Sequence, residues 1–525
     1  MKLNFCRTMR LIAQRHGSRE AIVNVERNRR YSYLEYHLLT NRIANALRGS
    51  LGVRAGDRFM LILENDNLTL MQLPAFLKQE GTAVMTNLRD SLEEHQRQIE
   101  FVMPKTVFIE SRLLASHLPM LQAAGSTVVV MDPVDDLPTG VVDFWTMIAA
   151  ASEEDNDVAL DQQDHTVLMR FTGGTTGMGK CTMYSPDNLM GCRDSAFIHP
   201  ELGIDAQARF LHVAPLSHGT QMLFHPTLFA GGTNITMNAL DLDGWIDTVE
   251  AEAVTHSFLV PTALYRLLEL QRSHPRDLGS LRTLVYGAAP MSPAKLQGLL
   301  NCFGPIFVQC YAATEATMIV SVLGKDDHRS DSEAALKRLS SAGRITPGVE
   351  VFVADENGVE MPAGEIGEIH IRCRAIVQGY YRNPEGTASE FSDDVWHSGD
   401  LGFIDQDGYL FIVDRLKDMI ISGGFNVYAV EVEAALAAHP TVLISAVVGV
   451  PHEEWGEAVH AEVVLREGVE IAPESLIDHV KQQLGSYKAP KSVHFVSELP
   501  LSPVGKVLRR EVRAKYWQNR ERGVS

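Results

Sequence analysis

Two rhythms of apolar residues run along this chain. In the first, short consecutive apolar runs alternate with segments whose apolar positions recur every three or four residues, the patterns of buried strand and amphipathic helix. It predicts helices over 7–15 and 41–51 and strands over 58–63, 106–109 and 127–131. The pattern resumes beyond residue 165, with strands just ahead of Thr172 and over 210–214, 283–286 and 306–309. Strands interleaved with helices predict layered α/β structure around a largely parallel sheet. From Ser341 the rhythm changes to short strands and turns, among them a hairpin over 404–413 turning at Gln406-Asp407-Gly408, which predicts a small β subdomain. The remainder reads as a separate small α+β unit, with helices over 430–438 and 473–484 and strands over 443–450, 459–465 and 493–496.

One stretch breaks both rhythms. Thr172-Gly173-Gly174-Thr175-Thr176-Gly177-Met178-Gly179-Lys180 follows the apolar run Val167-Leu168-Met169 and joins glycines, hydroxyls and a cation. Glycines permit positive φ and close backbone approach, so several N–H groups can converge on anionic oxygens, while Lys180 adds a point charge. The stretch reads as a phosphate loop. Its Gly174 to Lys180 portion matches the start of the P-loop NTPase pattern, G-x-x-x-x-G-K, which then requires Ser or Thr and an immediate helix. Here Cys181 follows, Thr182-Met183-Tyr184 is extended, and a helix begins only after Ser185, a suitable N-cap with Pro186 behind it. Strand, loop, strand indicates a phosphate-binding hairpin and argues against a P-loop NTPase.

Composition narrows the class. Lys plus Arg number 47 against 66 Asp plus Glu, a net charge of −19 that argues against nucleic acid or an anionic membrane surface as the main partner. No apolar run approaches the length of a bilayer span. The cysteines, Cys6, Cys181, Cys192, Cys302, Cys310 and Cys373, form no C-x-x-C pair, which fits reduced thiols in a cytoplasmic protein rather than a zinc site or disulfide framework. At 525 residues the chain exceeds a single core. Lys2, Arg7, Arg10, Arg15 and Arg19, with no acid among them, give the start a weak transit-peptide character, outweighed by the helix predicted there. The acidic run Glu153-Glu154-Asp155-Asn156-Asp157 reads as a solvated linker. His452-Glu453-Glu454-Trp455-Gly456 begins like the H-E-x-x-H zinc helix, but Gly456 stands where the second histidine must be.

Polar residues gather where predicted strands stop: Pro215-Leu216-Ser217-His218, Gly287-Ala288-Ala289-Pro290 and Tyr311-Ala312-Ala313-Thr314-Glu315. Ligands of open α/β sheets bind beyond the carboxyl ends of strands, so these tips indicate one shared site. Further along stand Gly364-Glu365-Ile366-Gly367-Glu368-Ile369, Trp396-His397-Ser398-Gly399-Asp400, Asp414-Arg415-Leu416-Lys417 and Pro503-Val504-Gly505-Lys506. With these motifs in this order, the chain resembles, over nearly its whole length, the adenylate-forming (ANL) superfamily, and within it the acyl-CoA synthetases, or AMP-dependent CoA ligases.

The resemblance implies a large N-terminal domain over 1–416 and a small, mobile α+β lid over 417–525. It implies a two-step ligation: a carboxylate attacks the α-phosphorus of ATP to give acyl-AMP and pyrophosphate, and the thiol of coenzyme A then displaces AMP. Matched residue by residue, Thr172, Gly173, Gly174, Thr175, Thr176, Gly177 and Lys180 would hold the β- and γ-phosphates. Thr314 would contact the α-phosphate and Glu315 would ligate Mg2+. Adenine would lie between Gly287, Ala288, Ala289 and the Tyr311 ring, with Asp400 and Arg415 on the ribose. Lys506 would be the catalytic lysine, Lys417 the hinge, and Gly423 and Gly424 would meet the arm of coenzyme A.

The chain departs from the family pattern in four places. Gly179 stands where proline is usual, Ala312 where glycine is, Ser398 replaces threonine, and Ala429 replaces proline. None removes a catalytic group. The expected acyl pocket, His218, Gln221, Met222, Tyr286, Cys310, Ala312 and Met318, contains no basic residue and predicts a moderately bulky apolar acid, fatty, alicyclic or aromatic. Two other readings stay open. One is a stand-alone adenylation enzyme that loads a carrier protein's phosphopantetheine; the other is a silent nucleotide-binding protein, against which Glu315 and Lys506 argue.

Overall fold

The apolar runs form the centres of two sheets in a computed structural model that describes residues 1–172, 179–502 and 505–517. The first sheet has seven strands, in the order Cys181–Tyr184, Leu168–Phe171, Thr82–Met85, Arg58–Ile62, Thr106–Ile109, Thr127–Val130 and Val141–Asp143. All its pairings are parallel except the first, where Leu168 faces Tyr184 and Phe171 faces Cys181 across an antiparallel ladder. A strand therefore follows Lys180 where a P-loop NTPase would open a helix. The next helix, Pro186–Ile198, starts as expected, closed by reciprocal bonds between Ser185 and Asn188.

The second sheet has fourteen strands. Its parallel part includes Arg209–His212, His256–Leu259, Thr283–Gly287 and Phe307–Tyr311. The β-rich stretch beyond Ser341 keeps its own core of Ala316, Val320, Ala342, Ile369, Ile371, Trp396 and Leu410. It is also hydrogen-bonded onto the same sheet, because Gly343–Ile345 pairs with both Ser321–Leu323 and Tyr409–Arg415. That sheet ends in sequence at Arg415, and a five-stranded sheet begins at Ile420 over a core that includes Val432, Leu436, Val447, Val459 and Leu476.

Two early expectations change. The helix expected from residue 41 spans Tyr33–Gly49, because Ser32 and Glu35 form a capping box that nucleates it earlier. The acidic run is a strap rather than a free linker. Arg42 pairs with Glu153, Arg10 with Asp155 and Arg48 with Asp157, while Asn41 donates to the carbonyl of Glu153. At the other end, His452 stacks on Trp455 with ring centroids 4.2 Å apart, next to the turn of a β-hairpin, so that stretch forms no zinc helix.

Candidate functional site

The carboxyl ends of strands from both sheets open on a cavity of 1410 Å³, whose far wall comes from the C-terminal unit. Gly287 ends its strand against the neighbouring one so tightly that an added Cβ would lie 2.3 Å from the carbonyl oxygen of Cys310. Ala288 follows with φ +67°, a left-handed backbone that an alanine adopts only under constraint. Across from this loop the Tyr311 hydroxyl donates to Asp400 Oδ2 at 2.7 Å, and Arg415 Nε lies 3.3 Å from Oδ1. Both oxygens of the buried Asp400 carboxylate are thus engaged. Burial and the adjacent Asp400 charge hold the Tyr311 hydroxyl well above its ordinary pKa, so it remains a donor. Ser398 keeps the hydroxyl of the residue it replaces, donating to Ile369 O at 2.6 Å and accepting from Asp400 N at 3.0 Å.

At the phosphate end, the Cys181–Tyr184 strand is held on its second side by residues 378–381, with Met183 N bonding Gly379 O and Tyr381 N bonding Cys181 O. That clamp sets Tyr380 between two carboxylates: its hydroxyl lies 3.1 Å from Glu315 Oε1 and also contacts Glu390. One phenolic proton serves one carboxylate at a time, so the corner is crowded with negative charge. Burial, with Glu390 adding to it, raises the Glu315 pKa above its ordinary value. This oxygen-rich corner fits Mg2+, with Glu315 as the ligand expected from the motif. Lys180 pairs with Glu390 and sits 4.9 Å from the centroid of the Tyr380 ring. Thr172 and Thr314 line the cavity, and the Thr314 carbonyl accepts from the Tyr184 hydroxyl at 2.8 Å. Gly173, Gly174, Thr175, Thr176 and Gly177 lie outside the described residues. Tyr380 and Glu390 carry no local sequence signal; a strand contact distant in sequence brings Tyr380 here, and Glu390 comes from the end of the helix Pro384–Glu390 that follows.

The C-terminal unit contributes Lys506. Its loop is docked by the Thr262 hydroxyl, which donates to Gly505 O at 3.0 Å, and Lys506 N donates to Ser502 Oγ at 3.1 Å. Lys506 lines the same cavity as Glu315 and Asp400. Its pKa is lowered to about 8, first by burial, then by the Arg415 charge, with Asp400 opposing. Lys417 lies between the two sheets' strands and also lines the cavity. Gly423 and Gly424 form an exposed hairpin turn of the C-terminal unit, with φ +58° and +82°, and do not line this cavity. Ala429, in place of a family proline, uses the N–H that proline lacks to donate to Asp414 Oδ2 at 2.6 Å.

Of the residues expected around the acid, His218, Gln221, Met222, Cys310, Ala312 and Met318 line this cavity. Tyr286 corrects the reading: its side chain is fully buried away from the cavity and its hydroxyl lies 3.0 Å from His328 Nε2. Pleating alternates side chains across the sheet, and this one falls on the core side. Nor is the wall free of basic residues. Arg170 lines it, 8% exposed. Its signal was present in the sequence as a lone charge inside the apolar run Val167-Leu168-Met169-Arg170-Phe171. His218 is pushed down to about 4 by burial, then by Lys506 and Arg170, and so is a neutral wall residue at physiological pH.

Glu368, His370 and His397 hold potential metal-ligand atoms within 4.8 Å of one another. Glu368 accepts from Gly399 N at 2.9 Å and His397 Nε2 lies 2.8 Å from Ser392 Oγ, while the two imidazoles stack with planes 5° apart. Parallel rings direct their lone pairs side by side rather than towards one ion, so the trio reads as a prop beneath the Asp400 strand.

The AMP-binding enzyme family matches residues 10–381, and the AMP-binding enzyme C-terminal domain matches residues 431–506. A medium/long-chain fatty-acid–CoA ligase from Mycobacterium tuberculosis is 38% identical over 430 residues, covering 80% of this chain and 73% of the relative. A feruloyl-CoA synthase from an Amycolatopsis species is 36% identical, covering 92% of this chain and 94% of its own. Among solved structures, the ATP-bound form of MatB from Rhodopseudomonas palustris superposes with a TM-score of 0.85 at 30% identity, over 97% of this chain and 99% of that one. The chain therefore belongs to the AMP-binding enzyme family, in the acyl-CoA synthetase branch of the adenylate-forming superfamily, and is an AMP-forming acid–thiol ligase.

Proposed function

We propose that this enzyme is a cytoplasmic ATP-dependent carboxylate–CoA ligase acting on a moderately bulky acid with an apolar body. The observation that carries this is the meeting of Lys506, from one structural unit, with Thr314, Glu315 and Asp400, from the other, around one cavity. In the first half-reaction a carboxylate oxygen attacks the α-phosphorus of ATP, and the bond to the bridging oxygen breaks as pyrophosphate leaves with the electron pair. Protonated Lys506 spans the carboxylate and an α-phosphate oxygen, which reduces the repulsion between the two anions as they approach. Asp400 and Arg415 hold the ribose, and the Tyr311 ring and the 287–289 backbone hold adenine. When bound, magnesium on Glu315 screens the phosphate charge. In the second half-reaction the thiol sulfur attacks the acyl carbon, the carbon–oxygen bond to AMP breaks, and the thiol proton is released.

Residues 417–525 are read as a lid pivoting at Lys417, which withdraws Lys506 and brings Gly423 and Gly424 to the thiol. The contacts to be exchanged in such a rotation include Lys295 Nζ to Val442 O at 2.6 Å and Thr262 to Gly505. The leading test is acid-dependent ATP–pyrophosphate exchange over a panel of carboxylic acids, followed by AMP and acyl-CoA formation on adding coenzyme A. A panel that never releases pyrophosphate overturns the proposal. A second reading, transfer to a carrier protein, is favoured by a fatty acid–[acyl-carrier-protein] ligase from Streptomyces coeruleorubidus, 30% identical over 95% of this chain. Comparing AMP release with free coenzyme A and with a phosphopantetheinylated carrier protein separates the two.

A further inference from the structure

Arg170 is more than nine-tenths buried, lines the acid side of the cavity, and has two guanidinium nitrogens, Nε and Nη2, without a hydrogen-bond partner among the described residues. A charged group in that position is costly unless something pairs with it. Among the described residues no carboxylate forms an ion pair with Arg170, and the adjoining stretch 173–178 contains no acid in its sequence. Its close neighbours are neutral: the Tyr184 ring, 5.3 Å from the guanidinium carbon, and Cys192. Its charge also acts on His218 and His225, both of which line the cavity. His225 Nε2 is likewise buried, with no hydrogen-bond partner among the described residues.

The two vacant donors are not an arbitrary pair. Nε–H and the facing N–H of Nη2 form the side-on edge of the guanidinium, two parallel donors at the spacing of the two oxygens of a carboxylate. Strand pleating directs Arg170 to the face of Leu168, which packs in the core with Leu189, Met190 and Leu216, whereas Met169 and Phe171 pack in a different cluster. Tyr184 and Cys192 adjoin the guanidinium, its charge reaches His218 and His225, and Cys192, His218 and His225 all line the cavity.

Resting on the ligase reading above, we infer that Arg170 anchors a second carboxylate, so the acid activated here is a dicarboxylic acid with an apolar spacer. One carboxylate lies towards Lys506 and is adenylated. The other binds side-on to Arg170 Nε and Nη2.

The test compares kcat/KM in pyrophosphate exchange for three matched series: dicarboxylic acids, their monomethyl esters, and acids with a far-end ketone or phenol. The wild type is expected to prefer the free diacid by about 10–100-fold, the scale of charge-assisted hydrogen bonds converted to a rate ratio. Arg170→Met should erase that preference, chiefly through a higher KM for the diacid, and Arg170→Lys should restore part of it. Should Arg170→Met fold poorly, the wild type alone decides, by whether diacids raise its thermal midpoint more than their monomethyl esters do. A preference for esters, ketones or phenols, or no preference at all, overturns the inference while leaving the ligase reading standing. Absence of exchange with every acid overturns the ligase reading, and the inference with it.

Discussion

The two ends of the cavity are built on opposite principles. At the nucleotide end Asp400 already has Tyr311 on one oxygen and Arg415 on the other, and Lys180 has Glu390. At the acid end Arg170 presents two donors that no described residue accepts. A nucleotide common to a whole family can be met by polar groups that hold one another in place and exchange partners when it arrives. An acid that varies from enzyme to enzyme is written in the partner that is missing. The nucleotide end is therefore informative about mechanism and the acid end about specificity, and substitutions should separate the two.

The largest effect is expected from Lys506→Ala. Removing a cation aimed at the charge that moves in the transition state costs about 10²–10³-fold in kcat. Acid-dependent pyrophosphate exchange should fall by that factor while ATP affinity, measured by calorimetry, stays within about threefold. Normal exchange in this variant would remove Lys506 from the mechanism. Asp400→Ala comes next and should act on binding. Loss of charge-assisted bonds to the ribose should raise KM for ATP about 10–100-fold, with kcat changed much less. A variant that instead lost kcat alone would mean that the Tyr311–Asp400–Arg415 chain positions reacting atoms rather than the nucleotide.

The pH dependence follows from Lys506. Its folded pKa is lowered to about 8, and the working form is the protonated one. Adenylation kcat/KM should therefore be level below about pH 7 and fall through pH 8, approaching tenfold per unit beyond it. Arg415 contributes to that lowering, so Arg415→Gln should move the fall to higher pH. An unchanged profile in that variant would assign the titration to another group.

The contrast between the two ends also explains what was legible in the sequence. The parallel sheets, the two antiparallel strands that flank the expected phosphate loop and the tips from Gly287 to Ala289 and Tyr311 to Glu315 depend on local patterns, and each falls close to where its run of residues indicates. Tyr380 and Glu390 could not be read that way, since tertiary contacts bring them beside Glu315 and Lys180 from distant positions. Tyr286 departs from expectation because a strand's end identifies the site but not which face each side chain takes. Arg170 falls between the apolar run Val167-Leu168-Met169 and the loop that opens at Thr172, outside both patterns, although a charge inside a buried strand already demands an explanation.

The smallest expected effect tests whether the lid has two positions. Gly505 has φ +82°, and an added Cβ would lie 3.1 Å from Val260 Cγ2 and 3.7 Å from Thr262 Oγ1. Crowding of a packed side chain costs about 1 kcal/mol at the low end of its range, and the contact with Val260 exists while the Lys506 loop is docked as it is here. Gly505→Ala should therefore slow adenylation about fivefold, that energy expressed as a rate. If the lid turns away for the second half-reaction, the crowding at Val260 is relieved, and thiolysis of pre-formed acyl-AMP should proceed within about twofold of the wild type. Equal slowing of both half-reactions would mean that Gly505 stays docked throughout, and the pivot at Lys417 would have to be abandoned.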